Sequence, residues 1–131
     1  MKNNINDTSN YFLERLKLLH KPIVLELGVN RGGSTLVFLK NINDNGGELY
    51  SVDIKDCSGI TKSENFKDTN TSNWKFLQSN DLNTEYILKK FPKLRDGIDV
   101  LYIDSYHDVT HVKKTLEKWF IYVKKKWIYI L

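Results

Sequence analysis

The chain has 131 residues, of which 40% are hydrophobic and 27% are charged, and its formal net charge is +4. This length fits one globular domain with its own core, and the composition excludes a disordered, collagen-like or membrane-embedded chain. The only cysteine is Cys57, which excludes an intramolecular disulfide and a cysteine-based zinc site within the chain.

The two termini set expectations for location and partners. Residues 1–10 are polar and lack the apolar segment of a secretory signal, and no apolar run has the length of a bilayer span. We therefore expect a cytoplasmic protein with no membrane partner. The compact basic run at residues 124–126 lacks regular aromatic interleaving, so we interpret it as a solvated lysine face and expect no nucleic-acid partner.

Helical and extended patterns alternate along the first half of the chain. Thr8 or Ser9 could cap a first helix that ends before Pro22. The apolar face of that helix comprises Tyr11, Phe12, Leu13, Leu16 and Leu19. We predict strand one at residues 23–27 and a helix at 34–42. The inward-facing residues of this helix are predicted to be Leu36, Val37 and Leu39. A turn-forming cluster, residues 43–47, precedes strand two at residues 49–54.

The second half continues the alternation after a long polar segment. Residues 55–73 are predicted to form a long loop that could include one helical turn, and a loop of that length is usually functional or mobile. We predict strand three at 74–78, a helix at 83–91 and strand four at 98–103. A further helix is predicted from Asp108 or Thr110 to about Tyr122, and strand five at 127–131. The inner stripe of this helix is predicted to be Val109, Val112, Leu116, Trp119 and Phe120.

This alternation predicts an open, mostly parallel α/β sheet with helices on both faces. The apolar strands lack strict alternation, as expected when both faces of a sheet are covered. In such sheets ligands bind at the carboxyl ends of the strands, where the strand order reverses. The polar residues that follow each strand are therefore the candidate site residues.

The segment from Glu26 to Ser34 is the most informative part of the chain. An apolar strand carrying Glu26 enters a turn with glycines at 28, 32 and 33, and a helical pattern begins at Ser34. Backbone N–H groups and the helix dipole at such a junction can receive a polar or anionic ligand. Ser34 could cap the helix or donate to a ligand carboxylate. The alternative is a strand-to-helix turn that binds nothing.

Three acidic or amide side chains follow the next two strands. Asp53 ends strand two, where a carboxylate can accept both hydroxyls of a ribose, or can simply be a solvated acid. Asn80 and Asp81 follow strand three and could bond the exocyclic amine of an adenine. The equally weighted alternative is that they cap the next helix.

Two motifs in the chain resemble one enzyme family. The pattern E-x-G-x-x-x-G-G-S at Glu26–Ser34 resembles motif I of class I S-adenosylmethionine (SAM) methyltransferases. The run YIDSYHDVTHVKKTLEKW resembles the strand-four segment of a subgroup that includes macrocin-type and cephalosporin-hydroxylase-like proteins. The subgroup pattern is approximately IDG-x-H-x-Y-x-x-V-x-x-D-L-x-x-W. Matching positions are Ile103, Asp104, His107, Val112, Leu116 and Trp119, whereas Ser105 replaces a glycine and Thr115 an acidic residue.

This resemblance implies a Rossmann-like fold with strand order 3-2-1-4-5, lacking the usual strands 6 and 7, and O-methylation of a small-molecule or sugar-derived acceptor. The cofactor would be SAM, with a divalent metal such as Mg²⁺ as an option. Asp104 would lie beside the methyl donor or hold that metal, and His107 could act as a general base. His111 and His20 have no such support and are interpreted as structural. The residues implied to bind the cofactor are Glu26, Gly28, Asn30, Arg31, Gly32, Ser34, Asp53, Asn80 and Asp81.

Two other functions stay open from the sequence. Because the family pattern continues past strand five and the sequence stops there, we expect a C-terminally truncated domain. A non-catalytic SAM- or nucleoside-binding fragment, dimeric through an exposed strand five, is the first alternative. A nicotinamide-dependent oxidoreductase is the second, but Asn30 stands where its loop requires the middle glycine of G-x-G-x-x-G.

Overall fold

The computed structural model describes residues 14–105, 108–125 and 127–130. The strands are β1 (Ile23–Leu27), β2 (Glu48–Asp53), β3 (Trp74–Gln78), β4 (Val100–Ile103) and β5 (Ile128–Ile130). The helices are α1 (Gly33–Asn45), α2 (Thr84–Lys90) and α3 (Val109–Trp119). Short 3₁₀ turns lie at Ile60–Lys62, Glu64–Phe66, Pro92–Asp96 and Phe120–Tyr122. Residues 14–16 are also helical.

The strands form one parallel sheet in the order β3-β2-β1-β4-β5. β1 lies at the centre, where Val24 pairs with Leu49 on one side and with Val100 on the other. Strand order reverses at β1, because the chain moves outward to β2 and β3 and then returns to β4. The predicted fold class and strand order are confirmed, and the reversal creates a crevice at the carboxyl end of β1.

Each face of the sheet has its own apolar core. On one face, Leu25 and Leu27 of β1 pack with Ile87 and Leu88 of α2 and with Trp119 of α3. On the other face, the side chains of one cluster come from the central strands and α1; they are Val24, Leu49, Val100, Tyr102, Phe38, Leu39 and Ile42. Successive residues of a strand thus enter opposite cores, and this explains why the strands are apolar throughout.

Most element bounds agree with the sequence predictions, and the predicted helix faces need correction. In α1 the residues Phe38 and Ile42 are buried together with Leu39, whereas Leu36 and Val37 are only partly buried against the core. In α3, Val109 is 81% exposed and Phe120 is 46% exposed, so their assignment to the inner stripe is wrong. Val109 is the first residue of α3, and Phe120 follows its last residue, in the 3₁₀ turn Phe120–Tyr122.

The remaining differences concern the long polar loop and the first helix. The loop after β2 contains two 3₁₀ turns rather than one helical turn, and Phe66 from the second is buried against the α1 face. The predicted cap and most of the apolar face of the first helix lie outside the described residues, but Leu16 is buried and Leu19 packs against the same core.

Within the described ranges, no helix combines the length and the apolar character that crossing a membrane requires.

Candidate functional site

The carboxyl ends of β1 to β4 surround a cavity of about 470 Å³. This volume lies within the usual range for small-molecule and cofactor sites. The residues that line it are Gly28, Asn30, Arg31, Val52, Asp53, Ile54, Lys55, Cys57, Ser79, Asn80, Asp81, Ser105 and His111. The cavity therefore brings together six residues that sequence analysis selected at three separate strand ends.

Gly28 allows the backbone after β1 to approach the end of β4. Its φ is +103°, and a Cβ atom added there would lie 2.1 Å from the carbonyl oxygen of Asp104. The Gly28 N–H donates to the carbonyl of Val52, while the Asp104 N–H donates to that of Leu27, both at 2.8 Å. A residue without a side chain is thus required for packing between strand ends, in addition to lining the cavity.

Asn30 connects the turn after β1 to the end of β4. Its φ is +55°, in the left-handed region that asparagine tolerates better than most residues. Its side-chain amide donates to the carbonyl oxygen of Asp104 at 3.1 Å and to the Asp104 carboxylate at 3.3 Å. Asparagine at this position therefore organises the cavity rim directly.

Asp53 holds the same turn from the β2 side. Its Oδ2 accepts the backbone N–H groups of Val29 (2.9 Å) and Asn30 (3.1 Å), and its Oδ1 accepts that of Lys55 (2.9 Å). Desolvation raises the pKa of Asp53, but hydrogen bonds from Lys55, Asn30 and Val29 outweigh it and leave the pKa below its usual value.

These backbone donors change the expected role of Asp53 toward a ribose. A carboxylate offers roughly four acceptor positions, and the backbone occupies three of them. The Cys57 thiol also bonds this carboxylate. The thiol takes the fourth position, so a ribose hydroxyl reaches this carboxylate only by replacing the thiol, and the sequence expectation that Asp53 accepts both hydroxyls does not fit this geometry.

Glu26 lies beneath the turn and not at the cavity surface. Its side chain is fully buried, and its carboxylate accepts hydrogen bonds from the hydroxyl groups of Thr35 and Ser51, both at 2.7 Å, and from Ser34. Burial raises the pKa of Glu26 to about 7, although the three hydroxyl groups act in the opposite direction. Direct contact between Glu26 and a ligand is therefore not supported.

Ser34 and Gly32 also serve the turn itself. The Ser34 hydroxyl donates to Glu26, so the sequence expectation of a helix cap or a ligand donor is replaced by this buried bond. Gly32 has a φ of +88°, and an added Cβ would lie 2.9 Å from the side chain of Ile60. Gly32 thus faces the long loop after β2, and neither residue lines the cavity.

Asn80 and Asp81 line the cavity from the end of β3, and neither caps α2. The Asn80 carbonyl oxygen Oδ1 accepts the N–H of Leu82 at 2.9 Å. The Asp81 carboxylate accepts the Ser105 hydroxyl at 2.6 Å and contacts His111 Nε2 at 2.9 Å. Asp81 is only 7% exposed, so most of its hydrogen-bonding capacity is used within the protein.

His111 lines the cavity, although sequence analysis interpreted it as structural. It lies in α3, one turn beyond the cap residue Asp108, and its side chain is 20% exposed. A lone histidine on a helix gives no signal by itself. Thirty positions separate Asp81 from His111 in the chain, and only packing of α3 over the loop after β3 brings them together.

The predicted catalytic pair is only partly described. Asp104 lies half-buried at the end of β4 and bonds to Asn30, whereas His107 lies outside the described residues. Its role as a general base stays a prediction. Among the described residues no group of three or more histidine, cysteine, aspartate and glutamate side chains could hold a metal ion, so the predicted metal at Asp104 finds no ligand set there.

A parallel sheet whose strand order reverses at β1, with a cavity at that point, defines a Rossmann-like α/β domain. A family model described as a methyltransferase domain matches residues 25–130, and the chain belongs to that family. No curated protein matches the chain significantly. The family match covers the five strands and the helices α1 to α3, except for the first two residues of β1.

Solved structures share this fold at low sequence identity. An O-methyltransferase family protein from Burkholderia thailandensis has a TM-score of 0.59 and 13% identity, over 94% of this chain and 37% of that one. A TDP-rhamnose 3'-O-methyltransferase of calicheamicin biosynthesis has a TM-score of 0.65 and 16% identity, over 99% of this chain and 64% of that one. An rRNA methylase from Streptococcus thermophilus has a TM-score of 0.63 and 16% identity, over 95% of this chain and 69% of that one. The chain thus spans 37% to 69% of these proteins.

Proposed function

We propose that this chain binds SAM in the cavity and belongs to an enzyme that methylates an oxygen atom of a small-molecule or sugar-derived acceptor. One observation carries this proposal. The turns after β1 and β2, tied together through Asp53, form a cavity of nucleoside size in a chain of the methyltransferase domain family. The cavity residues Gly28, Asn30, Arg31, Asp53, Asn80 and Asp81 are six of the nine that the resemblance implied.

The chemistry of the lining suits such a cofactor. The amino-acid end of SAM would lie at the turn around Gly28, where the backbone approaches closely. The ribose would donate one hydroxyl to the Asp53 carboxylate in place of the Cys57 thiol, and the nucleobase would lie toward Asn80 and Asp81. Bound SAM supplies a methyl group on a sulfonium centre, and the protein's main contribution is to hold donor and acceptor in line.

The acceptor side depends on Asp104 and on His107. Asp104 is fixed at the cavity rim by Asn30, so its carboxylate has a defined position close to the proposed methyl donor. His107 would accept the proton of the acceptor hydroxyl, since a neutral imidazole can do so near pH 7. The two kinds of acceptor named for the structural neighbours, a sugar nucleotide and a ribosomal RNA, show that this fold alone does not select one.

Calorimetric titration with S-adenosylhomocysteine, with NAD as the comparison ligand, tests the cofactor class. Binding of the first compound alone supports the proposal, and binding of NAD alone would favour the oxidoreductase alternative. A folded chain that binds neither compound contradicts both functions.

Two variants connect the result to the site. Asp53→Ala should weaken binding by about 5- to 150-fold, because it removes a charge-assisted bond to the ribose. Asp96→Ala removes an exposed carboxylate that does not line the cavity, and it should bind as the unmodified chain does. Thermal melting of both variants shows whether a loss of affinity reflects a loss of folding. Unchanged affinity in Asp53→Ala would show that the ribose assignment is wrong.

A further inference from the structure

The cavity wall near β3 contains a hydrogen-bonded network centred on Asp81. Asp81 lies in the loop after β3, Ser105 follows β4, and His111 belongs to α3. Ser105 Oγ donates to Asp81 Oδ2 at 2.6 Å, and His111 Nε2 lies 2.9 Å from Asp81 Oδ1. β3 and β4 are separated in the sheet by β2 and β1, so the loop after β3 reaches across the crevice to make these contacts.

A second contact holds the same loop to α3. Trp119 Nε1 donates to the backbone carbonyl of Asp81 at 2.8 Å, and the Trp119 side chain is fully buried. Trp119 lies two helical turns beyond His111, on the same face of α3. Asp81 is therefore held through both its side chain and its backbone, and it can keep the imidazole ring in a fixed position.

The orientation of the His111 ring follows from this arrangement. A hydrogen bond at Nε2 lies in the plane of the ring, so the buried Asp81 carboxylate fixes that plane. His111 is 20% exposed and lines the cavity, whereas the Asp81 carboxylate behind it is 7% exposed. The side chain that α3 presents to a ligand at this wall is consequently a flat, positioned ring.

We propose that His111 is a further residue of this cavity that contacts the nucleobase, with Asp81 and Ser105 as the positioning residues that hold its ring. The inference rests on the proposed function, since a nucleoside ligand brings a purine to the Asn80–Asp81 end of the cavity. A purine can stack on a flat side chain without specific hydrogen bonds, provided that the side-chain ring is held in place.

Ring resonances of the unmodified chain test this contact directly. The chain has three histidines, so ¹³C-labelled histidine gives three ring signals. Gln variants of His20, His107 and His111 assign them, and any two of these variants suffice. Addition of S-adenosylhomocysteine should shift the His111 signal through the purine ring current and leave that of His20 in place. Calorimetric binding without a shift at His111 would overturn the inference and leave the proposed function standing. Absence of binding would overturn both.

Two substitutions at His111 distinguish contact with the nucleobase from a purely structural role. His111→Phe keeps a flat ring and loses the bond to Asp81, whereas His111→Gln keeps an N–H donor within reach of Asp81 and loses the ring. The probe is 5'-methylthioadenosine, which carries the nucleoside without the amino acid. We expect His111→Gln to weaken its binding about tenfold and His111→Phe to weaken it only about threefold, because the phenylalanine ring remains but Asp81 no longer fixes its plane.

If His111 only stabilises the fold through its bond to Asp81, the order of the two affinities should be reversed. In that case His111→Phe would lose stability and affinity together, and His111→Gln would bind like the unmodified chain. The exposed His20, changed to Gln, is the matched control and should alter neither property. Equal binding by His111→Gln and the unmodified chain would overturn the inference.

Discussion

The side-chain amide of Asn30 lies 3.1 Å from the carbonyl oxygen of Asp104 and 3.3 Å from its carboxylate, although 74 positions separate the two residues. Asn30 also donates its backbone N–H to Asp53. One residue in a left-handed conformation therefore joins the turn after β1 to the ends of both neighbouring strands.

Substitutions at Asn30 should separate its conformation from its hydrogen bonds. Asn30→Gly keeps the positive φ without strain and loses the amide, whereas Asn30→Ala loses the amide and is strained at φ +55°. We expect Asn30→Ala to lower the free energy of unfolding by about 1 kcal/mol more than Asn30→Gly does. Urea unfolding measures the difference. Equal stability of the two variants would show that the positive φ is not maintained.

Gly28→Ala should be among the most destabilising single changes in the chain. Its Cβ would lie 2.1 Å from the carbonyl oxygen of Asp104, and the strand ends would have to separate. We expect a loss of several kcal/mol in the free energy of unfolding, at the upper end of single substitutions. Gly33→Ala is the matched control, because nothing lies within 4 Å of its added Cβ and its φ is ordinary. That variant should be as stable as the unmodified chain, or up to about 1 kcal/mol more stable. Similar melting temperatures for the two variants would contradict the close approach.

The buried carboxyl of Glu26 should make stability depend on pH. Its pKa is about 7 in the folded chain, above the ordinary value of 4.5, so the folded state holds the proton more tightly than the unfolded state. Stability therefore falls as pH rises from about 4.5 to 7 and is then constant, with a total cost of roughly 3 kcal/mol.

Glu26→Gln removes this titration and keeps the shape of the side chain. The variant should match the unmodified chain near pH 4 and become progressively more stable than it up to about pH 7.5. The measurement is the difference in unfolding free energy between the two proteins across this range, since other carboxyl groups then cancel. A difference independent of pH would show that Glu26 titrates normally.

Cys57 should react slowly with thiol reagents in the folded chain. Burial, followed by the charge of Asp53, raises the pKa of its thiol to about 11 from the ordinary value of 9.0. This shift leaves about 100-fold less thiolate near pH 8 than in the unfolded chain. Iodoacetamide labelling, followed by mass spectrometry with and without concentrated urea, measures the ratio of rates. Equal rates would exclude the buried position of the thiol.

Local patterns in the sequence were sufficient to predict much of the sheet. The apolar runs of β1 and β3 have the predicted bounds, because short stretches bordered by Pro22 or by polar residues leave few alternatives. The predicted face of α3 was less accurate. Val109 and Phe120 were assigned to the same inner face as Trp119, but both are exposed and only Trp119 is fully buried. Periodicity identifies a helix face without showing how far the neighbouring layer extends.

The candidate site shows the same division. Gly28, Asn30 and Asp53 were selected from the sequence because a strand end, a turn and a carboxylate each have a local signature. Glu26 was expected at the ligand, and it bonds instead to Ser51 on the adjacent strand. Its burial depends on three hydroxyl groups, whose arrangement no spacing pattern reveals.

The sequence by itself therefore determined the order of the elements, the glycine turn after β1 and the polar residues at the strand ends, because these follow from contacts within about a dozen residues. Only the tertiary structure decided that Glu26 lies beneath the turn, that Asn30 reaches Asp104 and that His111 meets Asp81. The physical reason is that such contacts join distant segments. Their geometry is set by how helices and strands pack against each other and not by the residues that flank them.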